Sequence, residues 1–141
     1  LPLTQASDDQ LRDYAAPYAG QWYTKPHSPA TLHEYLGEKM HPYDRLASAF
    51  YYEQAGLVGT AARIHYDVGM AASQQPAQAE RAFRKAIALN PAFAKAHNNL
   101  GALLANQKRF AEAASCFEMA VKQDPANENA RLNLKLLEQM R

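Results

Sequence analysis

The sequence has little of what marks membrane, disulfide-rich and nucleic-acid-binding proteins. Its single cysteine, Cys116, excludes an intramolecular disulfide and any cluster of cysteine metal ligands. It has no apolar run of about 18 residues, so no membrane-spanning helix is predicted. Lys and Arg number 15 against 14 Asp and Glu, well mixed along the chain, and the net charge of +1 offers no basic surface for nucleic acid.

Motifs for catalysis and metal binding are equally scarce. The sequence shows no Ser-His-Asp set, no glycine-rich phosphate loop and no Cys-His pair. His33, Glu34, Glu38 and His41 lie close together, but their spacing differs from the HExxH spacing that puts two histidines on adjacent helical turns. We therefore predict no enzymatic activity, no cofactor and no metal site, and we interpret Cys116 as a packed thiol.

Aromatic residues are concentrated in the first half of the chain. All eight Tyr and the single Trp lie at or before Tyr66, and the remainder is rich in Ala, Asn and Gln. This shift predicts an atypical N-terminal part followed by regular repeats. Residues 1–27 are predicted to form a short helix and a loop, in which Trp22 and Tyr23 either seal the first helix pair or form a contact surface for a partner.

Residues 28–59 are predicted to form a helical hairpin. Its helices are expected over residues 29–39 and 42–55, and Gly56 and Gly59 are expected to end the second one. We interpret the hairpin as a divergent repeat, on the expectation that it lacks an equivalent of the Leu-Gly pair and of the proline found in the repeats that follow.

Residues 94–127 show the repeat most clearly. Small and apolar residues fall on one stripe of each of two helices, and a proline ends the second helix. Gly101 and Ala113 are small enough to let the two backbones approach closely. The stripes consist of Leu100, Gly101 and Leu104 on the first helix and Ala113, Phe117 and Ala120 on the second, followed by Pro125.

This pattern resembles the tetratricopeptide repeat (TPR), a helical hairpin of ~34 residues with Leu-Gly-x2-Tyr, Ala-x3-Phe and Pro at fixed spacing. His97 stands where the family favours Trp, and Leu104 where it favours Tyr. The resemblance implies an all-α, right-handed superhelix of antiparallel helix hairpins (a TPR-like α-solenoid), here with divergent N-terminal helices. Residues 60–93 form a second such repeat, because Ala79, Phe83, Ala86 and Pro91 precede Ala113, Phe117, Ala120 and Pro125 by a constant 34 positions.

Two registers are open for the first helix of that earlier repeat. Aligned without a gap, Asp67 would occupy the site of Gly101, and a carboxylate would be desolvated at the tightest helix contact. Removing two residues from the following turn places Gly69 at this site and turns Asp67 to the open face. We predict the gapped register, in which His65 and His97 are equivalent residues at the edge of the core.

Residues 128–141 are predicted to form a C-terminal capping helix, with Asn127 as its N-cap. A cap is expected to have a polar outer side, whereas the leucines of this helix spread over more than one face. The excess of leucine leaves open a further repeat, a following domain or a self-association surface.

The resemblance to the TPR family also implies that the first helix of each hairpin lines a concave groove. Residues at repeat positions 2, 5, 6 and 9 would face this groove, with Asn106 one turn further. Asn99 and Asn133 are expected to stack on one face, in line with Asp67, and to hold an extended peptide backbone. The predicted groove residues are Arg63, Tyr66, Asp67, Met70, Lys95, Asn98, Asn99, Asn106, Asn129 and Asn133.

We predict a non-catalytic protein–protein interaction module that binds a peptide or protein segment in this groove. Asn129 and Asn133 replace the basic residues of carboxylate-clamp TPRs, which argues against an acidic chaperone tail as the ligand. Two alternatives remain. The chain is a TPR domain of a larger enzyme, such as a glycosyltransferase, that recruits protein substrates, or it is a scaffold that forms homo-oligomers through the N-terminal aromatic region or the C-terminal helix.

The sequence begins Leu1-Pro2, without Met. This start fits a cytoplasmic protein, a mature exported form or a fragment of a longer chain equally well, and no signal peptide is visible.

Overall fold

The computed structural model describes His33, residues 36–38, His41 and residues 44–140. His33 and residues 36–38 are helical, and six longer helices follow in the described part of the chain. The chain forms two compact units, Leu1–Ile64 and His65–Arg141. The helices are α1 (Arg45–Gln54), α2 (Val58–Ala71), α3 (Pro76–Leu89), α4 (Ala94–Asn106), α5 (Phe110–Gln123) and α6 (Glu128–Met140).

Several predictions for the N-terminal region concern residues outside the described part. These are the short helix and loop over residues 1–27, the roles of Trp22 and Tyr23, and the start of a helix at residue 29. None of the helices in the described residues is long and apolar enough to cross a membrane.

Helix α1 begins later than predicted. Asp44 is its N-cap, with an extended backbone (φ −146°) and a carboxylate that accepts a hydrogen bond from the N–H of Ala47 at 3.0 Å. The helix therefore starts at Arg45 and not at residue 42. Its end is as predicted, because Gly56 has a φ of +83°, the left-handed conformation that suits glycine after a helix. The prediction for Gly59 is wrong, since this residue lies inside α2.

The N-terminal hairpin carries a Leu-Gly pair, contrary to the prediction for residues 28–59. Leu36 is buried, and a Cβ added to Gly37 would lie only 2.9 Å from the ring of Tyr52 in α1. Ser48 is also buried, and its hydroxyl donates to the carbonyl oxygen of Gly37 at 2.5 Å. Ser48 and Tyr52 thus take the places of the Ala and Phe of the later repeats.

The unit His65–Arg141 repeats the same contact twice. A Cβ on Gly69 would lie 2.7 Å from the ring of Phe83, and one on Gly101 would lie 2.6 Å from the ring of Phe117. The two glycines are therefore equivalent, and the gapped register is confirmed. Asp67 is half-buried and lies outside the core.

The core of this unit is a cluster of buried apolar side chains between the hairpins. Their removal from water is the main stabilising contribution to the packing of α3 to α6. The core residues are Ala79, Phe83, Leu100, Leu104, Ala113, Ala114, Phe117 and Leu137.

The last helix is bounded as predicted. Helix α5 ends at Gln123, and Asp124 has a non-helical backbone (φ −139°), as expected for a residue before proline. The side chain of Asn127 accepts from the N–H of Ala130 at 3.0 Å and caps α6. Lys135 stands 34 positions after Gly101, and its side chain is exposed.

Candidate functional site

Amide side chains connect α2, α4 and α6 on one side of the unit His65–Arg141. Asn99 in α4 donates from Nδ2 to the hydroxyl oxygen of Tyr66 in α2 at 2.9 Å. Asn133 in α6 donates from Nδ2 to Oδ1 of Asn98 in α4 at 3.0 Å. The two bonds are equivalent in the repeat, and we call the surface that carries these four residues the amide face.

The predicted pair of asparagines does lie on one face, but each side chain reaches back to the preceding helix. Asn99 Nδ2 also lies 3.2 Å from the sulfur of Met70. Asn99 and Asn133 therefore donate within the unit and hold successive repeats in register, at about 1 kcal/mol for each hydrogen bond. That Asn99 and Asn133 bind a peptide backbone stays a prediction.

Tyr66 is fixed by its aromatic neighbours. Its ring lies 6.0 Å from that of Phe83 and 5.0 Å from that of Phe93, both in tilted geometry. This packing holds the hydroxyl where Asn99 can reach it. Tyr66 was predicted as a groove residue, whereas no pattern indicated Phe93, which lies outside the repeat pattern.

The other predicted groove residues vary in accessibility. Lys95, Asn106 and Asn129 are exposed, as is Met70, whose side chain is 51% exposed. Arg63 is also exposed, but it belongs to the unit Leu1–Ile64. The binding role of each residue stays a prediction.

An open apolar pocket of about 170 Å³ lies between α4 and α6. We call it the end pocket. Phe117 and Leu137 form its buried floor. Among the described residues, none that lines the pocket is charged. Its walls are formed by Ala102, Ala105 and Asn106 of α4 and by Asn133, Leu136 and Met140 of α6.

The end pocket continues into an exposed apolar stripe on α6. Leu132, Leu136 and Met140 are 54%, 48% and 66% exposed, and their spacing of four residues puts them on one side of the helix. This stripe accounts for part of the leucine excess noted in the sequence. Exposed apolar side chains grouped in this way are typical of an interaction surface.

Helices α3 and α5 are joined by a network of four charged side chains. Arg109 donates to Glu80 at 2.9 Å and to Glu112 at 2.7 Å, and Arg84 donates to Glu80 at 2.9 Å. The hydrogen bonds from Arg109 hold the pKa of both carboxylates below their usual range. This network was not predicted from the sequence, although Glu80 and Arg84 have the spacing of a helical ion pair.

A second open crevice, of about 350 Å³, lies beside α3, α4 and α5. We call it the Cys116 crevice. Ile87, Ala88 and Met119 line it with Cys116, and Arg84 stands at its wall. Cys116 is partly buried, as predicted, and burial raises the pKa of its thiol.

The histidines of the repeats have structural positions. His65 and His97 are 9% and 7% exposed, which confirms their prediction as residues of the core edge. His97 Nε2 donates to the carbonyl oxygen of Pro91 at 2.9 Å. Within the described residues, no group of three His, Cys, Asp or Glu side chains is placed to hold a metal ion.

Comparison with known proteins agrees with this architecture. Residues 70–128 match a family model described as Tetratricopeptide repeat. No curated protein matches the chain. The chain is similar to the solved Arabidopsis OM64 TPR domain, with a TM-score of 0.53 and 22% identity over 79% of this chain and 96% of that one. The family match and this likeness confirm the all-α, TPR-like helical-repeat fold.

A second solved structure is similar at a lower score. It is the first TPR of Spaghetti (RPAP3) bound to the HSP90 peptide SRMEEVD, with a TM-score of 0.46 and 21% identity. The similarity covers 79% of this chain and 92% of that one.

Proposed function

Because residues 70–128 match the tetratricopeptide repeat family, we propose that the amide face and the end pocket bind a segment of a partner protein. Repeats of this family are protein-interaction modules. The observation that carries the proposal is the grouping of exposed apolar side chains beside amides on α4 and α6. Leu136 and Met140 are 48% and 66% exposed next to Asn106 and Asn133. An apolar centre with hydrogen-bonding groups at its edge is the usual composition of a protein interface.

Within this site we propose two groups of polar residues. Asn99 and Asn133 hold the helices in register through their bonds to Tyr66 and Asn98. Lys95, Asn106 and Asn129 are exposed, so their side chains supply the polar contacts to the partner.

The charge of the site favours a neutral segment over an acidic tail. Asn129 and Asn133 stand at the positions where resemblance to carboxylate-clamp TPRs implies basic residues. Lys95 offers a single ammonium group, and exposed ion pairs contribute only about 0–1 kcal/mol. The repeats that build the site are proposed to span residues 60–93 and 94–127, with residues 128–141 as the cap.

Peptide selection tests this proposal. A phage-displayed library of short peptides is selected against the full chain, and the enriched peptides are measured by fluorescence anisotropy. We expect micromolar binding that Leu136→Glu weakens by about tenfold or more, which is about 1.4 kcal/mol. Leu46→Glu is the matched control, because Leu46 is similarly exposed (56%) but lies in α1 of the other unit.

Two outcomes would contradict the proposal. One is that no peptide binds the folded chain above background. The other is that Leu136→Glu and Leu46→Glu weaken binding equally, which would show that the peptides do not use the end pocket.

A further inference from the structure

We infer that the end pocket selects one uncharged, apolar side chain of the partner segment, of leucine, methionine or phenylalanine type, and rejects a carboxylate. The inference rests on the proposed function and names the chemistry of the partner at one position. It is carried by the shape of the pocket, by its lining and by its contrast with the Cys116 crevice.

The shape of the pocket follows from small residues above a fixed floor. Phe117 and Leu137 are each 2% exposed, so the floor belongs to the packed core and has little freedom to move. Ala102 and Ala105 leave space above it. Met140 forms a wall that can adapt to the occupant, because its side chain is long and unbranched.

The lining of the pocket fixes the charge of its occupant. The polar groups in the lining are the two amides of Asn106 and Asn133. Among the described residues, no cation lies in this lining, so a carboxylate placed between Leu136 and Ala102 would lose water without gaining an ion pair, which disfavours its charged form. An apolar side chain has no such hydration to lose, and it also covers the exposed surface of Leu136 and Met140.

The amide at the edge of the end pocket adds a second requirement, which concerns the backbone of the partner segment. A carboxamide is both a donor and an acceptor, so the exposed Asn106 can pair with the backbone of the segment whatever its sequence. The pocket therefore selects the side chain of the segment, and Asn106 binds the backbone beside that side chain. The Cys116 crevice differs, because Arg84 and His97 lie in its wall.

Amide chemical shifts of the full chain provide the test. The probes are the capped amino acids N-acetyl-leucine-N-methylamide and N-acetyl-aspartate-N-methylamide at neutral pH. We expect saturable shifts at Ala102, Ala105 and Asn133 with the leucine probe, and about tenfold weaker binding of the aspartate probe. Ala102→Leu fills the pocket and should abolish the shifts.

The matched control is Ala88→Leu, which places the same side chain in the Cys116 crevice and should leave the shifts unchanged. Met140→Ser provides a second variant that removes apolar wall without adding bulk, and it should weaken the leucine probe several-fold. Equal binding of the two probes would overturn the inference. So would shifts that persist in Ala102→Leu, or that centre on Ile87 and Met119.

The library selection separates this inference from the proposed function. Peptides that bind in a Leu136-dependent manner, but tolerate aspartate at every position, would sustain the proposed function and overturn the inference. Leucine-selective shifts with no enriched peptide would sustain the chemistry of the pocket and contradict the proposed function.

Discussion

The N-terminal hairpin and the last complete hairpin share a close contact between a glycine and an aromatic ring, but the surroundings differ. A Cβ would lie 2.9 Å from Tyr52 at Gly37 and 2.6 Å from Phe117 at Gly101. Phe117 is buried at 2% exposure, whereas Tyr52 is only half-buried. The hairpin geometry thus brings the glycine backbone close to the aromatic ring in both hairpins. We expect the burial of the ring to decide how much an added methyl group destabilises each hairpin.

Alanine at the two glycines should give the largest difference. Gly101→Ala should destabilise the chain by about 2–3 kcal/mol, because the closed core prevents the Phe117 ring from moving away. Gly37→Ala should cost about 1 kcal/mol or less, since the Tyr52 ring can shift toward solvent. Urea denaturation followed by circular dichroism measures both changes.

Gly59→Ala is the control for intrinsic helix propensity. Gly59 lies in α2, and an added Cβ would meet no other part of the described chain within 4 Å beyond its own stretch of helix, so alanine there should stabilise the chain by up to about 1 kcal/mol. Equal costs for Gly37→Ala and Gly101→Ala would show that burial of the ring does not govern the requirement.

Replacing Ser48 by alanine would make the N-terminal hairpin resemble the later ones. The hydroxyl donates to the Gly37 carbonyl, which also accepts from the N–H of His41 at 3.2 Å. The carbonyl therefore keeps a partner in Ser48→Ala, and we expect a loss of only about 1 kcal/mol. Faster amide exchange should be confined to residues 44–55. A loss above about 3 kcal/mol would mean that the hydroxyl is indispensable to the hairpin.

Low pH should affect the stability of the two regions differently. In the unit His65–Arg141, ion pairs of Glu80 and Glu112 also join α3 and α5, and acid removes these pairs. The pKa of Glu80 is lowered in the folded chain, so its contribution is present above the unfolded pKa of about 4.3 and is lost as the pH falls through the folded value. Glu80→Gln should cost about 1 kcal/mol at pH 7 and nothing at about pH 2.

Thermal melts of the wild type and of Glu80→Gln, recorded from pH 7 down to about pH 2, measure this effect. Glu118→Gln, at an exposed site on α5, controls for the loss of one negative charge. The difference in stability between wild type and Glu80→Gln should shrink at low pH. If this difference does not change with pH, the ion pairs of Glu80 are not its cause.

The register of the repeats could be predicted from the cost of burying a charge or a side chain at a close helix contact. The cost of burying Asp67 was enough to choose the register that places Gly69 against Phe83, as the structure has it. The equivalent contact of Gly37 in Leu36-Gly37 was not predicted. There the pattern is hidden, because Ser48 and Tyr52 replace Ala and Phe and no proline follows at the expected position.

Side-chain partners were less accessible to sequence reasoning. A spacing of 34 places Asn99 and Asn133 at equivalent sites, but it does not tell which neighbour each amide will choose. The structure pairs Asn133 with Asn98 and Asn99 with Tyr66. The choice depends on rotamers and on the rings that fix Tyr66, and neither follows from periodicity. The end pocket likewise arises from the packing of α6 against α4.

The exposed Lys135 determines where this repeat array can be lengthened by protein engineering. It stands on α6 where α2 and α4 have glycine, so a further helix packed on α6 as α5 packs on α4 would bury an ammonium group against an aromatic ring. Copies of residues 94–127 inserted between Asn127 and Glu128 would instead each carry their own glycine–phenylalanine contact, as Gly101 and Phe117 do. The array is thus extensible from within, with α6 as a movable end piece.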